Sequence, residues 1–299
     1  KHPVGSPIPM PEDGFPKAIS MSVGDIKAAM DSFSKGSAGG LSKLTPDHIR
    51  SAGSIFCHSS VYESILHVCK LFSSGSVLRE AQPFVCGAFL SALLKKCGGI
   101  RPIACGDIFR RLTGKVITRL SKEKMRDYFY PLQQGVAVPK GAEAIIHSWR
   151  ECLIRFKDNP RVAAVKLDLE NACNNIDRAT MLSECLKSFP ELYPYCWMCY
   201  ANPSFLFVKG STIQISSQQG TQQGCPLGCL LFCLVIHILI KEIQVEFPSL
   251  IMNTWFIDDG SIMGDFIVIN LILSKLRSQG PKYGFFLSTS KSQIVWACG

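Results

Sequence analysis

The sequence predicts an α+β fold, in which helices and short antiparallel strands follow one another in irregular order. Two observations support this prediction. Short apolar runs bounded by Pro, Asn and Gly, such as 162–169 and 251–257, are typical of buried strands. Longer stretches with helical periodicity separate them, and this mixed order favours α+β over a doubly wound α/β fold. With 299 residues, 47% of them hydrophobic and 18% charged, the chain has ample material for a core.

The first half of the chain is predicted to be mainly helical after an extended arm at 1–20, which is rich in Pro and Gly. Thr45 can cap a helix, and Pro102 disfavours helix at the residue before it. A glycine-rich loop is expected at 36–43 and an extended segment at 98–103. The predicted helices lie at 23–33, 45–51, 60–72, 78–95, 107–128 and 141–157.

The second half combines the predicted strands with further helices. A hairpin is expected at 204–208 and 211–217, with Lys209 and Gly210 in its turn. Strand 251–257 should pair with 261–264 across a turn at 258–260. The predicted helices are 178–188, 192–201, a long buried helix starting near Pro226, and 266–279.

The most apolar stretch runs from Pro226 to Ile240, about fifteen residues, and is interrupted by Gly228 and His237. A membrane span needs about 20 apolar residues, so we predict a buried core helix and no membrane partner. No signal peptide is evident, and most of the 14 cysteines lie in apolar contexts. These features predict a reduced, intracellular location, in the nucleus or the cytoplasm.

Three aspartates stand at the ends of the predicted strands. Asp258 and Asp259 close one apolar run, and Asp168 closes another. An aspartate pair in such a run is costly to bury unless positive charge compensates it. Hard divalent cations prefer carboxylate oxygens, and three aspartates from two neighbouring strands suit a two-metal phosphoryl-transfer site. The alternative is a simple Asp-Gly hairpin turn, which leaves Asp168 unexplained.

The net charge of +9 lies entirely in the first half. Residues 1–150 hold 20 Lys and Arg against 11 Asp and Glu, whereas residues 151–299 hold 12 of each. Within 95–126, ten basic residues are opposed only by Asp107 and Glu123. A basic block beside an acidic metal site indicates a polyanion, most simply nucleic acid. A solvated helix face is the competing interpretation of the block.

Several segments match known motifs in order and spacing. They are Lys95-Lys96-Cys97-Gly98-Gly99-Ile100-Arg101-Pro102-Ile103-Ala104, the following run from Gly106 to Lys115, Lys166-Leu167-Asp168-Leu169-Glu170-Asn171-Ala172, Gln222-Gln223-Gly224-Cys225-Pro226-Leu227-Gly228, Phe256-Ile257-Asp258-Asp259, and Tyr283-Gly284-Phe285-Phe286-Leu287-Ser288-Thr289-Ser290-Lys291. Together they resemble a reverse transcriptase domain, particularly those of non-LTR retrotransposon-like elements. The resemblance extends from about residue 35 to the end of the sequence.

The resemblance implies a right-hand polymerase fold, with helical fingers and a palm built on a small antiparallel sheet flanked by helices. Residues 1–34 would form an N-terminal arm and helix, 35–160 the fingers and 161–299 the palm, with fingers elements interleaved. No thumb is evident, so a thumb or other domains are expected in flanking sequence.

The resemblance also implies a catalytic centre. Asp168, Asp258 and Asp259 would hold two Mg²⁺ ions, with Mn²⁺ as a possible substitute. The main-chain carbonyl of Leu169 would complete the metal shell. Lys291 would protonate the leaving pyrophosphate, unless it is a simple exposed lysine.

Substrate contacts follow from the same motifs. Lys96 and Arg101 would grip the triphosphate, Gln223 and Gly224 would line the nucleotide pocket, and Cys173 stands where relatives carry an aromatic that blocks a 2′-hydroxyl. The expected partners are an RNA template, a primer and deoxynucleoside triphosphates. The residues predicted to bind nucleic acid are Lys95, Arg110, Arg111, Lys115 and Arg119.

Three cysteines depart from the family pattern: Cys173, Cys225, where Asp is typical, and Cys97, where an acidic or amide residue is common. The leading hypothesis is an RNA-directed DNA polymerase. Cys173 motivates a second hypothesis, RNA-directed RNA synthesis. A third is a catalytically decayed domain retained for binding RNA, which the basic block supports as readily.

Overall fold

The computed structural model describes residues 8, 10–11, 14–55, 58–94, 98–208 and 210–298, with 55, 58 and 59 described by their backbone alone. It shows a mixed fold of helices and small sheets, which confirms the predicted α+β class. The helices are α1 (Val23–Asp31), α2 (Pro46–Ile55), α3 (His58–Ser73), α4 (Gln82–Val85), α5 (Ile108–Leu120), α6 (Lys122–Phe129), α7 (Gly141–Arg155), α8 (Ala172–Asn175), α9 (Arg178–Ser188), α10 (Tyr193–Tyr200), α11 (Gly228–Glu246) and α12 (Phe266–Gln279). The strands are β1 (Ala88–Leu94), β2 (Ile100–Gly106), β3 (Val162–Leu167), β4 (Ser204–Val208), β5 (Gln214–Ser217), β6 (Met252–Phe256), β7 (Asp259–Asp265) and β8 (Gln293–Trp296).

The chain divides into two compact units, each made from two separate stretches. The first unit comprises Lys1–Ser121 and Arg178–Gly228, and the second comprises Lys122–Asp177 and Cys229–Gly299. The boundary drawn from the sequence after residue 160 coincides with none of these junctions. The assignment of segments to fingers and palm stays a prediction.

The first unit contains a mixed four-stranded sheet in the order β2-β1-β4-β5. β1 pairs antiparallel with β2, from Ala88 opposite Gly106, and parallel with β4. β4 and β5 form the predicted hairpin; Lys209, predicted in its turn, lies outside the described residues. Helix α2 begins after Thr45, whose Oγ1 accepts a hydrogen bond from the His48 N–H at 3.2 Å, as predicted for a capping residue.

The helix predicted at 78–95 is wrong. Only Gln82–Val85 is helical there, and Ala88–Leu94 forms β1. A short apolar run fits a buried helix and a strand equally well, and here β2 and β4 offer pairing on both edges. The basic helix predicted at 107–128 is also divided, into α5 and α6 at Ser121. Helices α9 and α12 have the predicted bounds.

The second unit is built on an antiparallel sheet in the order β6-β7-β3-β8. β3 is almost entirely buried, as its apolar run predicts. Helix α7 packs on one face, where Ile145 joins Val162, Ala164, Met252 and Met263 in an apolar cluster. The packing fixes β3 and the β6–β7 hairpin, so the residues that follow β3 and connect β6 to β7 are held on a rigid base.

Helix α11 is longer than the stretch recognised in the sequence. It runs for 19 residues, and by length and composition alone it could cross a membrane. The sequence argument that this region is too short for a span is therefore corrected. Of its most apolar window, 67% is buried inside the protein, which is what the core helix of a globular protein also shows.

Candidate active site

The two adjacent carboxylates lie at the tip of the β6–β7 hairpin. Phe256 pairs with Asp259, so Ile257 and Asp258 form the two-residue connection. Asp259 is exposed and Asp258 is half-buried. Solvent and small solutes therefore have access to both residues.

The turn lies one residue earlier than the sequence predicts, at 257–258 instead of 258–260. Ile257 adopts a positive φ of 58°, whereas Gly260 already belongs to β7, where it pairs with Trp255. A Cβ atom on Gly260 would lie 2.8 Å from the indole ring. Glycine is therefore required at position 260 because the Trp255 ring covers it. An Asp-Gly pair in a sequence usually indicates a turn, but here the glycine lies in the strand.

The register of β3 and β7 brings Asp168 beside this tip. Leu167 pairs with Gly260 in the antiparallel ladder. Asp168 directly follows Leu167 at the end of β3, and Asp259 directly precedes Gly260 at the start of β7. The side chain of Asp168 is 31% exposed. The ends of two neighbouring strands therefore present carboxylates at the same edge of the sheet.

Asp168 is held by the segment that leads into β8. The Lys291 Nζ atom lies 3.3 Å from Asp168 Oδ1. The Asp168 N–H donates to Ser292 Oγ at 3.2 Å, and its carbonyl accepts from the Ser288 N–H at 2.9 Å. Lys291 is thus the counter-ion of Asp168, and its role as a proton donor stays a prediction.

The backbone of Leu169 is oriented by an isolated antiparallel bridge to Leu287. Backbone hydrogen bonds flank this bridge on both sides, which is the pattern of a pair whose own N–H and C=O groups point away from the partner. β7 runs along the other edge of β3. The Leu169 carbonyl, predicted as a metal ligand, is therefore directed to the edge that carries the hairpin aspartates.

Cys173, in α8, is half-buried. Burial raises the pKa of the Cys233 thiol in α11 well above its usual value, and the nearby Cys229, Cys173 and Asp258 raise it further. One buried thiol is thus within electrostatic range of both Cys173 and a hairpin aspartate. The role of Cys173 beside a 2′-hydroxyl stays a prediction.

The donor chemistry of the site fits a divalent cation. Carboxylate and carbonyl oxygens are the ligands that Mg²⁺ and Mn²⁺ prefer. Asp168 and Leu169 carry such oxygens after β3, and Asp258 and Asp259 carry them at the β6–β7 hairpin. Within the described ranges, no three His, Cys, Asp or Glu side chains are grouped closely enough to hold a metal ion. One of the candidate ligands, Asp168, is engaged by Lys291 instead.

Gln133 contacts this site and was not recognised in the sequence. Its side-chain amide bonds to both the N–H and the C=O of Ile257. The sequence offers no signal that separates it from its neighbour Gln134, since both lie in a short segment between two helices. Only its complete burial distinguishes it.

Among the described residues of the first unit, those predicted to bind the nucleotide lie on β2 or pack against it. Arg101 is exposed on this strand. The Ala104 N–H donates to the Gln223 carbonyl at 2.7 Å, and a Cβ atom on Gly224 would lie 2.5 Å from the Ala104 carbonyl. The loop that carries Gln223 and Gly224 therefore packs directly against β2. Three motif residues, Lys95, Lys96 and Cys97, lie outside the described residues.

Arg110, predicted to bind nucleic acid, is 2% exposed. Its Nη1 atom donates to the Gln222 side chain and, at 2.7 Å, to the Cys86 carbonyl. The Tyr195 hydroxyl donates to the Arg110 carbonyl at 2.8 Å. The structure thus places the Arg110 side chain inside the first unit, where its contacts join α5 to the neighbouring chain segments.

The other basic residues of α5 differ in their surroundings. Arg111 donates to the Ala38 carbonyl at 2.6 Å. The Lys115 Nζ atom donates to Ser32 Oγ at 3.0 Å, and burial, followed by the charge of Arg111, lowers the pKa of Lys115. Arg119 is exposed. Arg111 and Lys115 thus tie α5 to the N-terminal segments, and Arg119 remains accessible.

Comparison with protein families gives one match, to the family described as reverse transcriptase (RNA-dependent DNA polymerase), over residues 93–297. This range contains the strand-end aspartates, the Gln223 loop and Lys291. Among proteins with curated functions, none matches the sequence.

Similar solved structures include telomerases. Apo telomerase from Candida tropicalis has a TM-score of 0.55 and 12% identity, over 74% of this chain and 45% of that one. Telomerase from Candida albicans, in complex with a TWJ fragment of telomeric RNA, has a TM-score of 0.53 and 13% identity, over 73% and 44%. At these identities the likeness concerns the fold alone, and the chain spans less than half the length of either structure. The resemblance to non-LTR elements stays a prediction.

Proposed function

Because the chain belongs to the reverse transcriptase (RNA-dependent DNA polymerase) family, we propose that it extends the 3′-end of a primer on an RNA template. In this reaction the 3′-hydroxyl oxygen attacks the α-phosphorus of a deoxynucleoside triphosphate, and pyrophosphate leaves as the new bond forms. The observation that supports the proposal is the strand register, in which Leu167 pairs with Gly260, so that the residues next to them, Asp168 and Asp259, belong to the same edge of the sheet.

The strand-end oxygens are the proposed metal ligands. Asp168, Asp258, Asp259 and the Leu169 carbonyl would hold two Mg²⁺ ions, with Mn²⁺ as a substitute. When bound, such ions lower the pKa of the attacking hydroxyl and neutralise the triphosphate and the pyrophosphate. The contribution of the chain is to carry the carboxylates on paired strands, whose packed core limits their movement.

The remaining roles fall to cationic and loop residues. Lys291 would exchange its contact with Asp168 for one with the pyrophosphate, to which an ammonium group can donate a proton. Arg101 and Lys96 would bind the triphosphate, since guanidinium suits bidentate phosphate contact. Gln223 and Gly224 would contact the incoming nucleotide, where a glycine permits close approach of the backbone.

The test is primer extension on an RNA template with Mg²⁺, in which the parent chain is compared with Asp259→Asn. We expect the parent to incorporate deoxynucleotides, and the variant to lose at least about 100-fold in rate, because removal of one electrostatic group at the reacting centre costs this much. Template affinity, measured by fluorescence anisotropy, should change less than about twofold, since replacing one carboxylate by an amide leaves the contacts to the template phosphates intact.

Three other outcomes would contradict the proposal. Extension by Asp259→Asn at the parental rate would refute the metal-ligand assignment. Preferred incorporation of ribonucleotides, measured in a parallel reaction, would favour RNA synthesis. We would attribute it to Cys173, which stands where relatives carry an aromatic residue that blocks a 2′-hydroxyl. Template binding by the parent without any extension would favour a domain that only binds RNA.

A further inference from the structure

The first of the two residues that join β6 to β7 has an unfavourable backbone conformation. Ile257 has a φ of 58°, in the left-handed region that β-branched residues rarely adopt. Strain of this kind persists only where the surroundings hold it in place, and it occurs preferentially at functional sites. Ile257 directly precedes Asp258 and Asp259, so the conformation of this one residue sets the direction in which both carboxylates leave the hairpin.

The side chain of Gln133 occupies both backbone groups of this strained residue. Its Oε1 atom accepts from the Ile257 N–H at 2.7 Å, and its Nε2 atom donates to the Ile257 carbonyl at 3.0 Å. Oε1 also accepts from the Gly135 N–H at 3.0 Å. Because both N–H groups need an acceptor, the orientation of the amide is fixed by its partners.

The segment around Gln133 is itself fixed against the edge strand β6. The Trp255 N–H donates to the Leu132 carbonyl, and the Gln134 N–H donates to the Trp255 carbonyl, both at 2.7 Å. A Cβ atom on Gly135 would lie 2.6 Å from the Ile257 nitrogen, so the two backbones approach too closely for a larger residue. Gln133 is fully buried, so water does not compete for these hydrogen bonds.

From these contacts we propose that Gln133 is a positioning residue for the reaction at the strand-end aspartates. It acts through Ile257: the amide stabilises the left-handed conformation and thereby fixes the hairpin tip that carries Asp258 and Asp259. The catalytic part of this inference rests on the function proposed above, whereas the structural part does not.

The test combines a structural and a kinetic measurement on the full 299-residue chain. Gln133→Ala removes the amide, and Gln133→Met removes it while keeping most of the volume, in case the smaller side chain prevents folding. Gln134→Ala is the matched control, because the Gln134 amide is placed only against the Pro131 carbonyl, at 3.4 Å. Hydrogen exchange of the Ile257 amide is the structural readout. The rate of single-turnover extension and the template dissociation constant are the kinetic readouts.

We expect exchange at Ile257 to accelerate at least about fivefold in both Gln133 variants, because the N–H loses its acceptor. The extension rate should fall roughly tenfold to a hundredfold, as expected when reacting groups are misplaced slightly, while the template dissociation constant stays constant. Gln134→Ala should change neither readout more than about twofold.

A second substitution separates positioning from general stabilisation. Glycine adopts positive φ without strain, so Ile257→Gly reduces the need for the amide. Adding Ile257→Gly to Gln133→Met should therefore restore most of the lost extension rate. A residue that only stabilised the second unit would show no such recovery.

Two results would overturn the inference: unchanged exchange at Ile257 in Gln133→Met, or a double variant as slow as the single one. If the parent chain itself does not extend a primer, the function proposed above fails. The exchange comparison between Gln133→Met and Gln134→Ala then still decides whether the amide holds the hairpin tip.

Discussion

Gly260 is constrained by a ring and not by its own backbone. Its neighbour across the hairpin, Trp255, is fully buried and donates from Nε1 to Asn253 Oδ1 at 3.1 Å, so the indole is fixed and cannot move aside. The space above a fixed ring is the physical reason that no side chain fits at position 260.

We therefore predict that Gly260→Ala destabilises the protein by about 1–3 kcal/mol, the usual cost of overpacking. The measurement is urea denaturation followed by tryptophan fluorescence. Gly24→Ala is the control, because a Cβ atom at Gly24 in α1 would meet only Ser22 Oγ, at 3.5 Å, and alanine suits a helix better than glycine. Equal midpoints for Gly260→Ala and the parent would show that the indole does yield.

The sequence predicts strands well where an apolar run ends at a polar residue. It does not predict which polar side chains become buried. The strands beside Asp168 and Asp259 can be predicted because each aspartate follows an apolar run, whereas the roles of the two carboxylates stay predictions. Arg110 was predicted to bind nucleic acid as part of a basic block, yet it is buried, as are Ile108, Leu112 and Ile117 around it. Composition does not show how much of a helix is covered, and for the same reason it does not single out Gln133.

At the scale of elements, α6 and α11 meet around a buried histidine. His237 is 2% exposed, and its ring centroid lies 5.1 Å from that of Phe129 and 5.4 Å from that of Tyr128. Burial, and then the charge of Lys241, lowers the pKa of His237 from 6.5 to about 4. The contact between these helices therefore requires a neutral imidazole.

This contact predicts a loss of stability in mild acid. The folded-state pKa lies below the unfolded value, so between about pH 6.5 and pH 4 the unfolded chain binds the proton preferentially. The free energy of unfolding should then decrease by about 3 kcal/mol as the pH falls through this window. Urea denaturation at several pH values measures the effect.

The matched variants are His237→Phe and His147→Gln. Phenylalanine has no proton to gain, so the first variant should lose most of the pH dependence in this window. His147 is exposed on α7, so the second should retain it. A parent chain equally stable at pH 4.5 and pH 7 would contradict the assignment of a neutral, buried His237.

Other differences between sequence and structure also arise at this scale. β1 was predicted as helix because the stretch 78–95 shows helical periodicity, and pairing with β2 and β4 makes it a strand. β8 was not predicted at all: all four of its residues are exposed, so it lacks the alternation that marks a half-buried strand. Pairing between distant segments determines both strands.

At the scale of the whole molecule, the net charge of +9 favours association with polyanions. The exposed basic residues are the ones available for it. Arg101→Gln and Arg119→Gln should each reduce the slope of log affinity for RNA against log salt by about 0.7, the value for one phosphate contact to a single strand. Fluorescence anisotropy from 50 to 200 mM salt measures this slope.

The control is Lys187→Gln on α9, whose side chain is 76% exposed and belongs to no predicted binding set. It should leave the slope unchanged. If the three variants reduce the slope equally, the net charge of the protein, and not local contacts with phosphates, determines the affinity for RNA. The predicted nucleic-acid contacts of Arg101 and Arg119 would then be refuted.

The discontinuous construction of the two units has a consequence for biosynthesis. A ribosome releases β1 long before β4, its parallel partner, and releases β3 long before β7 and β8, which flank it. During much of translation β1 is therefore paired with β2 alone, and β3 still lacks both β7 and β8. An unpaired strand edge invites aggregation. Because β8 comes last in sequence among the strands of the second sheet, that sheet can be completed only after β8 has been synthesised. Until then the nascent chain exposes an apolar strand edge of the kind that chaperones shield.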